Sequence, residues 1–562
     1  MYLQQSKNQA GRIYLSFVQG YRKDGKVKHR TIEKLGYLDD LQKIYDDPIA
    51  HFKQVAKEKN AVENSIEKKL EISLSEKLSE NSSNRKNLGY AVPKAVYDTL
   101  GLHDFFQYKQ RFINAEFNLN SIFSMLTFNR FMFPSSIMHA YQTKDIFFDR
   151  FDFELEDCYR ALDYFVSYSA DIQTLLATRT KEMFGRDPHL GYWDVTNYYF
   201  EIPYEDEDMI DENGTILKKG QKKRGPSKEH RKDPIVQMGL LMDSNGIPMA
   251  FNTFSGGESE KTNMLPAIRR AKKDLEIERI IVVADRGLNT SDNTALLSGK
   301  NHDDMKNNDG YVYGQSVLGA DKEFKAWVLD QEGYSNDMET DKDGNPVIFR
   351  HKSRIYAKKV TLKNQSGKRS ASYETYQKQM VYYSEKYAKK QHADRERVIA
   401  KAKSLIDNPQ MYTRSTSYGA AGYIKNIKFS KSTGEIVDGS VLELDLVKIE
   451  ESFKIIKSEF KARPVFVKTE DHVNAHFLIC YVALVIMRTI EHLLDEKFTT
   501  KQIRNALCNY SCSYLDQNYY LFDYRDQVLD ALGKMYGWDL TQKYMSQSVI
   551  KKILRHQSKR QI

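Results

Sequence analysis

Arg279-Ile-Ile-Val-Val-Ala-Asp285-Arg286-Gly287 runs five apolar residues, Ile280 to Ala284, straight into a carboxylate. An apolar run of this length, bounded by charge and glycine, reads as a strand buried on both faces. Its Asp then stands at the C-terminal end of a core strand, where α/β folds build their sites. Read alone, the same Asp also admits a second reading, as the opening of a surface turn. Working outward, Leu190 to Ile202, Ile235 to Met242 and Ile247 to Phe254 are short β-prone runs parted by turn residues, among them Asp243-Ser-Asn-Gly246. Thr262 to Leu275 reads as a helix. Three strands, a helix and a buried strand make an α/β order that periodicity alone does not assign to one fold.

The rest of the chain extends well past one core. At 562 residues it is longer than a single hydrophobic core supports, and 41% hydrophobic with 29% charged residues is an ordinary globular composition. Residues 1–45 read as a small β unit, with Arg12 to Arg22 and Val27 to Leu35 as strands about an Asp24-Gly25 turn. Residues 46–88 read as a charged helix and linker, and 89–187 as a helical domain rich in Leu, Phe, Tyr and Met. The core's first part spans 188–309, and 310–440 alternates β-like runs with a charged helix from Tyr383 to Ile406. Residues 441–495 hold an amphipathic and then a buried helix, and 496–562 read as helical. Four cysteines in so long a chain argue for a reducing compartment. The first residues show no secretory leader pattern, and the longest apolar run, Phe477 to Met487, has eleven residues against the ~20 of a membrane helix. A cytoplasmic protein with no membrane partner is the expectation.

Besides Asp285, two acids stand out. Asp194, in Gly191-Tyr-Trp-Asp-Val-Thr-Asn-Tyr-Tyr-Phe-Glu201, interrupts a strand that is bulky on both faces. There it must be paired, hydrogen-bonded or metal-bound, unless the strand is an edge with Asp194 facing water. Glu450 lies in Ile449-Glu-Glu-Ser-Phe453-Lys-Ile-Ile456-Lys457-Ser-Glu-Phe460-Lys461, where 449, 453, 456 and 460 form one apolar stripe and 450, 454, 457 and 461 a charged stripe beside it. A solvated amphipathic helix explains that stripe equally well, and Glu451 turns further to solvent. Two strand Asp and one helix Glu suit a pair of Mg2+ or Mn2+ ions, hard cations that prefer oxygen. Such a pair serves phosphodiester cleavage. His472 and His476 share a helix face beside Phe477 and read as core residues.

Taken together, these segments resemble a known family. Tyr192-Trp-Asp194-Val-Thr196 with Tyr199-Phe-Glu201 resembles the first-Asp strand of the DDE-type transposases of bacterial insertion sequences. Arg224-Gly-Pro-Ser-Lys228-Glu-His230-Arg-Lys-Asp233, Gly246-Ile-Pro248 and Gly256-Gly-Glu-Ser-Glu260 resemble its next stations in order. Val282-Val-Ala-Asp285-Arg-Gly287 with Asn293 resembles the second-Asp motif, and Ile449-Glu450, Phe453, Lys457-Ser458, Arg463-Pro-Val465 and His476 resemble the Glu helix and its exit. Tyr21-Arg22, Asp24-Gly-Lys26 and Leu35-Gly36 look like the family's N-terminal hairpin. Asp194 and Asp285 are 91 positions apart, and Asp285 and Glu450 are 165 apart (285 − 194 and 450 − 285). The long second gap resembles the branch with a β-rich insertion before the Glu.

The resemblance implies an α/β ribonuclease H-like core with that insertion, and Asp194, Asp285 and Glu450 as catalytic and metal-ligating residues. It implies two ions of Mg2+ or Mn2+, and metal-dependent strand cleavage and transfer at insertion-sequence ends. It also implies double-stranded DNA partners (the element's terminal inverted repeats and target DNA), a homodimer in the DNA complex and a place at the nucleoid. The branch carries Tyr-x2-Arg-x3-Glu-x6-Lys on the last helix. Lys457 fits, but Leu446 and Glu443 stand where Arg and Tyr are expected. The chain runs from Gly434 almost straight into Ile449, which suggests an internal deletion and leaves a second reading, a DNA-binding relic with an impaired core. A generic ribonuclease H-like nuclease is a third reading, one that needs neither the insertion nor a basic loop.

That loop, Lys218 to Lys232, holds eight Lys and Arg against one acid. Lys222, Lys223, Arg224, Lys228, Arg231 and Lys232, extended by Lys457 and Lys461, are the expected DNA contacts. The loop follows an acidic stretch, Glu205 to Glu212, which can cancel part of its charge.

Overall fold

The computed structural model describes residues 1–8, 11–23, 26–64, 77, 80, 83–202, 204–225, 233–298, 309–315, 317, 320–340, 346–363, 369–384, 388, 467, 469–515 and 518–555. They divide into two compact units, Met1–Ser83 and Asn84–Ile562.

In the first unit β1 (Tyr2–Lys7), β2 (Ile13–Lys23) and β3 (Lys26–Tyr37) form an antiparallel sheet in that order. The expected hairpin is β2–β3, with Lys23 opposite Lys26. β1 is an addition to that expectation, an edge strand whose one inward-leaning apolar residue, Leu3, left little pattern to read. A short turn of helix, α1 (Leu38–Leu41), leads to α2 (Pro48–Asn64), which begins on a proline as first turns favour. Phe52 of α2 meets Phe17 of β2 edge-on at 6.1 Å, and Leu15, Phe17, Val18 and Ala56 are buried. The charged helix expected beyond residue 46 thus has an apolar side after all.

The second unit is built around a twenty-four-residue helix. After β4 (Arg85–Asn87) come α3 (Ala91–Thr99), α4 (Leu102–Gln110), α5 (Leu119–Met132), α6 (Ile137–Gln142), α7 (Leu155–Ser167) and α8 (Ser169–Phe184). These helices share one apolar core with the later helix α12 (Glu470–Leu493). Tertiary burial thus joins the helical stretch 89–187 to the rest of the unit, although the sequence reads it as a domain of its own. Thr469 caps α12 by accepting from His472 N, and the helix is buried along nearly its whole length. By length and composition α12 could cross a membrane, yet 89% of its apolar window is buried inside the protein. A helix apolar all round requires such burial.

The sheet beneath α12 comprises β5 (Leu190–Tyr199), β8 (Ile235–Met242), β9 (Pro248–Ser255), β10 (Ile281–Ala284) and β11 (Gly310–Tyr313), in the order β11-β10-β5-β8-β9. A small hairpin, β6 (Met209–Ile210) with β7 (Ile216–Lys218), interrupts it, and α9 (Glu260–Asp274) and α10 (Ser291–Leu297) flank β10. β5, β8 and β9 run antiparallel, while β10 lies parallel to β5 and β11 parallel to β10. This is the arrangement expected of a ribonuclease H-like core. Alternation along β5 sends Trp193 and Val195 into the core under α9, and Tyr198 and Phe200 into the core around α12. Tyr198 meets Phe477 at 4.7 Å, and Phe251 meets Tyr481 at 4.9 Å.

Beyond β11 lie α11 (Lys322–Leu329) and a three-stranded antiparallel sheet of β12 (Ser335–Thr340), β13 (Pro346–Lys363) and β14 (Arg369–Ser384). Tyr383, expected to open a charged helix, lies in β14 opposite Arg350 instead. The run Met380-Val-Tyr-Tyr383 is β-prone and wins locally; almost all of the expected helix lies outside the described residues. After α12, the chain continues through α13 (Thr500–Asn509), β15 (Ser511–Tyr514), β16 (Tyr519–Phe522), α14 (Gln527–Tyr536), β17 (Tyr544–Ser546) and α15 (Gln547–Leu554). The expectation of helix alone is corrected here, because β17, β16, β15 and β4 form a sheet. Residues 85–87, expected as linker, are the strand that closes it. The Asn87 amide anchors them by donating to Leu507 O and Cys508 O, both at 3.0 Å.

One close approach fixes the β5–β8 contact. A Cβ on Gly239 would lie 2.3 Å from two atoms of the Trp193 ring. Gly239→Ala is expected to destabilise the protein by about 1–3 kcal/mol through overpacking, read as a lower urea midpoint at unchanged slope.

Candidate active site

The β10–β5 register places the two aspartates side by side. Ile281 pairs with Leu190, Val282 with Gly191, Val283 with Tyr192 and Ala284 with Trp193. Asp194 is the next residue of β5, and Asp285 is the first residue after β10. Neighbouring strands lie about 4.8 Å apart, so the two backbones are near neighbours at this level. Val282 and Ala284 face the core under α9 together with Trp193. Continued alternation puts 194 and 285 on the opposite side of the sheet, the side that carries Tyr198 and α12. Asp194 is half-buried and Asp285 exposed. One oxygen of Asp194 accepts from the Val195 amide at 2.8 Å.

The turn after Asp285 is held by Asn293. Its side-chain amide, buried, donates to Leu288 O at 2.8 Å, and its backbone N–H is capped by Thr290 Oγ1 at 3.2 Å. Asn293 therefore shapes the backbone that presents Asp285. Among the described residues no group of three or more His, Cys, Asp or Glu could hold a metal ion. Two carboxylates on adjacent strands nevertheless repel unless something positive lies between them. That donor set is oxygen only and fits a hard cation. Glu450, Lys457 and Lys461 lie outside the described residues, as does the suspected deletion before Glu450. So do Lys228, Arg231 and Lys232.

The described part of the basic loop is largely ion-paired with neighbouring acids. Lys222 is buried and meets Asp206 at 2.9 Å, Lys223 meets Asp208 at 2.8 Å, and Lys218 meets Glu470 at 2.8 Å. The acidic stretch folds back on the basic one, and the Lys223 ammonium holds the Asp208 carboxyl below the usual carboxylate range. Arg224 keeps a 54% exposed side chain, its guanidinium 3.8 Å from Glu205. The adjoining glycines explain themselves by backbone contact. A Cβ on Gly225 would lie 1.9 Å from Gly256 O, and one on Gly256 2.0 Å from Ile235 O. These two motif stations, far apart in sequence, are one packed joint. His472 and His476 sit on α12 as read, His472 3.5 Å from Asp163 and His476 buried with Nε2 3.8 Å from Cys480 Sγ.

Comparison with known proteins follows this geometry. Residues 3–69 match the model of the IS1634 family transposase, N-terminal domain. No curated protein matches the chain. Among solved structures, the Mos1 mariner paired end complex with Mn is similar at 10% identity and a TM-score of 0.12, over 29% of this chain and 52% of that one. A pre-cleavage Mos1 transpososome is similar at 8% identity and a TM-score of 0.14, over 46% of this chain and 66% of that one. The chain thus spans between about half and two thirds of the length of those chains, and TM-scores this low decide nothing about its fold or activity.

Lys222→Ala is expected to lower stability by about 1–3 kcal/mol, because it removes the buried ammonium paired with Asp206 and leaves that carboxylate, among the described residues, only the backbone N–H of residue 222. It leaves the salt dependence of DNA binding unchanged, whereas Arg224→Ala flattens it. Thermal melts and salt titrations of affinity separate the two effects.

Proposed function

We propose that this chain, a DDE-type insertion-sequence transposase by its motifs and its IS1634-type N-terminal segment, cleaves and joins DNA strands at the ends of its own element. The single observation that carries this reading is the parallel register that pairs Ala284 with Trp193, the residues immediately before Asp285 and Asp194. In this reading Asp194 and Asp285, completed by Glu450, hold two Mg2+ or Mn2+ ions, which when bound activate the attacking oxygen and stabilise the leaving one. The chain's own part is placement. The Val195 amide holds one Asp194 oxygen, and Asn293 holds the turn that carries Asp285.

Two features support a place for Glu450 beside the pair. α12, which begins twenty positions after Glu450, lies on the sheet face that Asp194 shares. On the same face, Ile281 and Val283 are half-exposed and their neighbour Val312 is exposed, an apolar shelf beside the carboxylates. The stripe Ile449, Phe453, Ile456 and Phe460 has the apolar character to cover it. Arg224, with Lys228, Arg231, Lys232, Lys457 and Lys461, then contacts the DNA phosphates, and two copies hold two ends.

Asp194→Asn and Asp285→Asn are expected to lower single-turnover cleavage of terminal-repeat DNA in Mg2+ at least about a hundredfold, with DNA binding retained. Cleavage by Asp194→Asn at the wild-type rate would remove the reading. In the native chain the rate is expected to be low, because residue 446, one turn before Glu450, offers no cation to a phosphate. Leu446→Arg raises it; an equal rate in the same assay means that Glu450 works in its present setting.

A further inference from the structure

The sheet of β12, β13 and β14 extends into an arm. β12 pairs with β13 only between Pro346 and His351. From Lys352 to Lys363, among the described residues, β13 pairs with β14 alone. Residues 346–384 contain nine Lys and Arg and a single acid, Glu374, a net charge of +8 in a chain whose total is +9. This hairpin is therefore one of two strongly basic segments, beside the loop Lys218 to Lys232, in a chain whose other parts together are net acidic.

Its two faces differ. The inner face is engaged: Lys352 donates to Asp330 O at 2.6 Å, Arg354 to Gln379 Oε1 at 2.7 Å and Lys358 to Asn289 Oδ1 at 3.0 Å. Tyr311 of β11 also donates to Gln377 at 3.4 Å. Asn289 follows Asp285 by four residues, so the ribbon's inner face rests against the loop that leaves the carboxylates. The register Ile355↔Lys378, Ala357↔Tyr376 and Lys359↔Glu374 defines the other face. There Tyr376 is 72% exposed, Ile355 69%, Tyr382 57% and Met380 47%, with Lys359 and Lys378 exposed among them.

We infer that this outer face binds an unpaired DNA strand, with Tyr376 and Tyr382 as stacking platforms and Lys359 and Lys378 as phosphate contacts. Charge complementarity selects the occupant: two copies of a +8 ribbon repel, whereas a polyanion is attracted. The aromatics select among nucleic acids. A duplex keeps its base faces stacked internally, while an unpaired strand offers a π face at every base. Tyr376, Lys378, Met380 and Tyr382 project from alternate positions of one strand. They lie about 7 Å apart in sequence order, so base-binding and phosphate-binding groups share one line. The ribbon is anchored beside Asp285 by its inner face, so its outer face can take up a strand that has left the cut. That place in the reaction rests on the function proposed above; the binding does not.

The test uses the full chain in EDTA, so that cleavage plays no part, and follows fluorescence anisotropy of a labelled oligo(dT) and of a blunt duplex of equal length. Wild type is expected to bind oligo(dT). Tyr376→Ala with Tyr382→Ala weakens that binding at least about tenfold and duplex binding less than about twofold. The Tyr→Phe pair retains affinity, because stacking needs the ring and not the hydroxyl. Lys378→Glu, which leaves both rings in place, weakens oligo(dT) binding and flattens its salt dependence. Unchanged oligo(dT) affinity in either the alanine or the Lys378→Glu variant overturns the inference. So does an equal loss for duplex and single strand, or a change confined to self-association in sedimentation. If Asp194→Asn shows that the cleavage reading fails while these affinities behave as expected, the binding face stands on its own.

Discussion

The parallel ladder between β10 and β5 ties the candidate site to the fold. Asp194 lies in β5 and Asp285 follows the last residue of β10, and their backbones come level because Ala284 is held opposite Trp193. A slip of one residue would turn one carboxylate to the other face of the sheet, since side chains alternate with period two. The register is held by apolar burial on the far side, where Trp193, Val282 and Ala284 lie in one core under α9. Gly239 on β8 leaves room for the Trp193 ring, so a glycine two strands away from Asp285 helps to set the spacing of the pair.

The other face depends on α12. Its apolar surface is wrapped by α3, α5, α7 and α8 and rests on Tyr198 and Phe251, which makes the helical region and the sheet one cooperative body. A helix buried so completely leaves little room for movement of the sheet below it. Around this rigid centre the charged parts are arranged by pairing. The acidic stretch before β6 folds against Lys222 and Lys223, while the β13–β14 ribbon satisfies its inner cations on the protein and presents the others outward.

Much of the core was legible in the residues. The run Ile280 to Ala284 ending in Asp285, the alternation around Asp194, and the order of three strands, helix and strand all reappear as β10, β5 and the observed sheet. Those signals are local: apolar length, period two, and turn residues between runs. The two glycine stations were visible as motifs, but not as one joint, because Gly225 and Gly256 meet only across thirty residues of folded chain. β1, β4 and the C-terminal strands were missed because strands of three to six residues leave too short a pattern to separate from linker.

By itself, then, the sequence determined the core strands β5, β8, β9 and β10 and the buried helix, since each follows from hydrophobic spacing along a few consecutive residues, and which residues carry charge. Only the tertiary structure decided which charges remain available. Lys222 reads in sequence as one more cation in a basic run, yet folding buries it against Asp206, whereas Lys378 is turned to solvent by a strand register set by its pairing with Ile355, 23 residues away. Exposure and ion pairing are long-range properties: each depends on which distant segment closes over a side chain, and no local period encodes that.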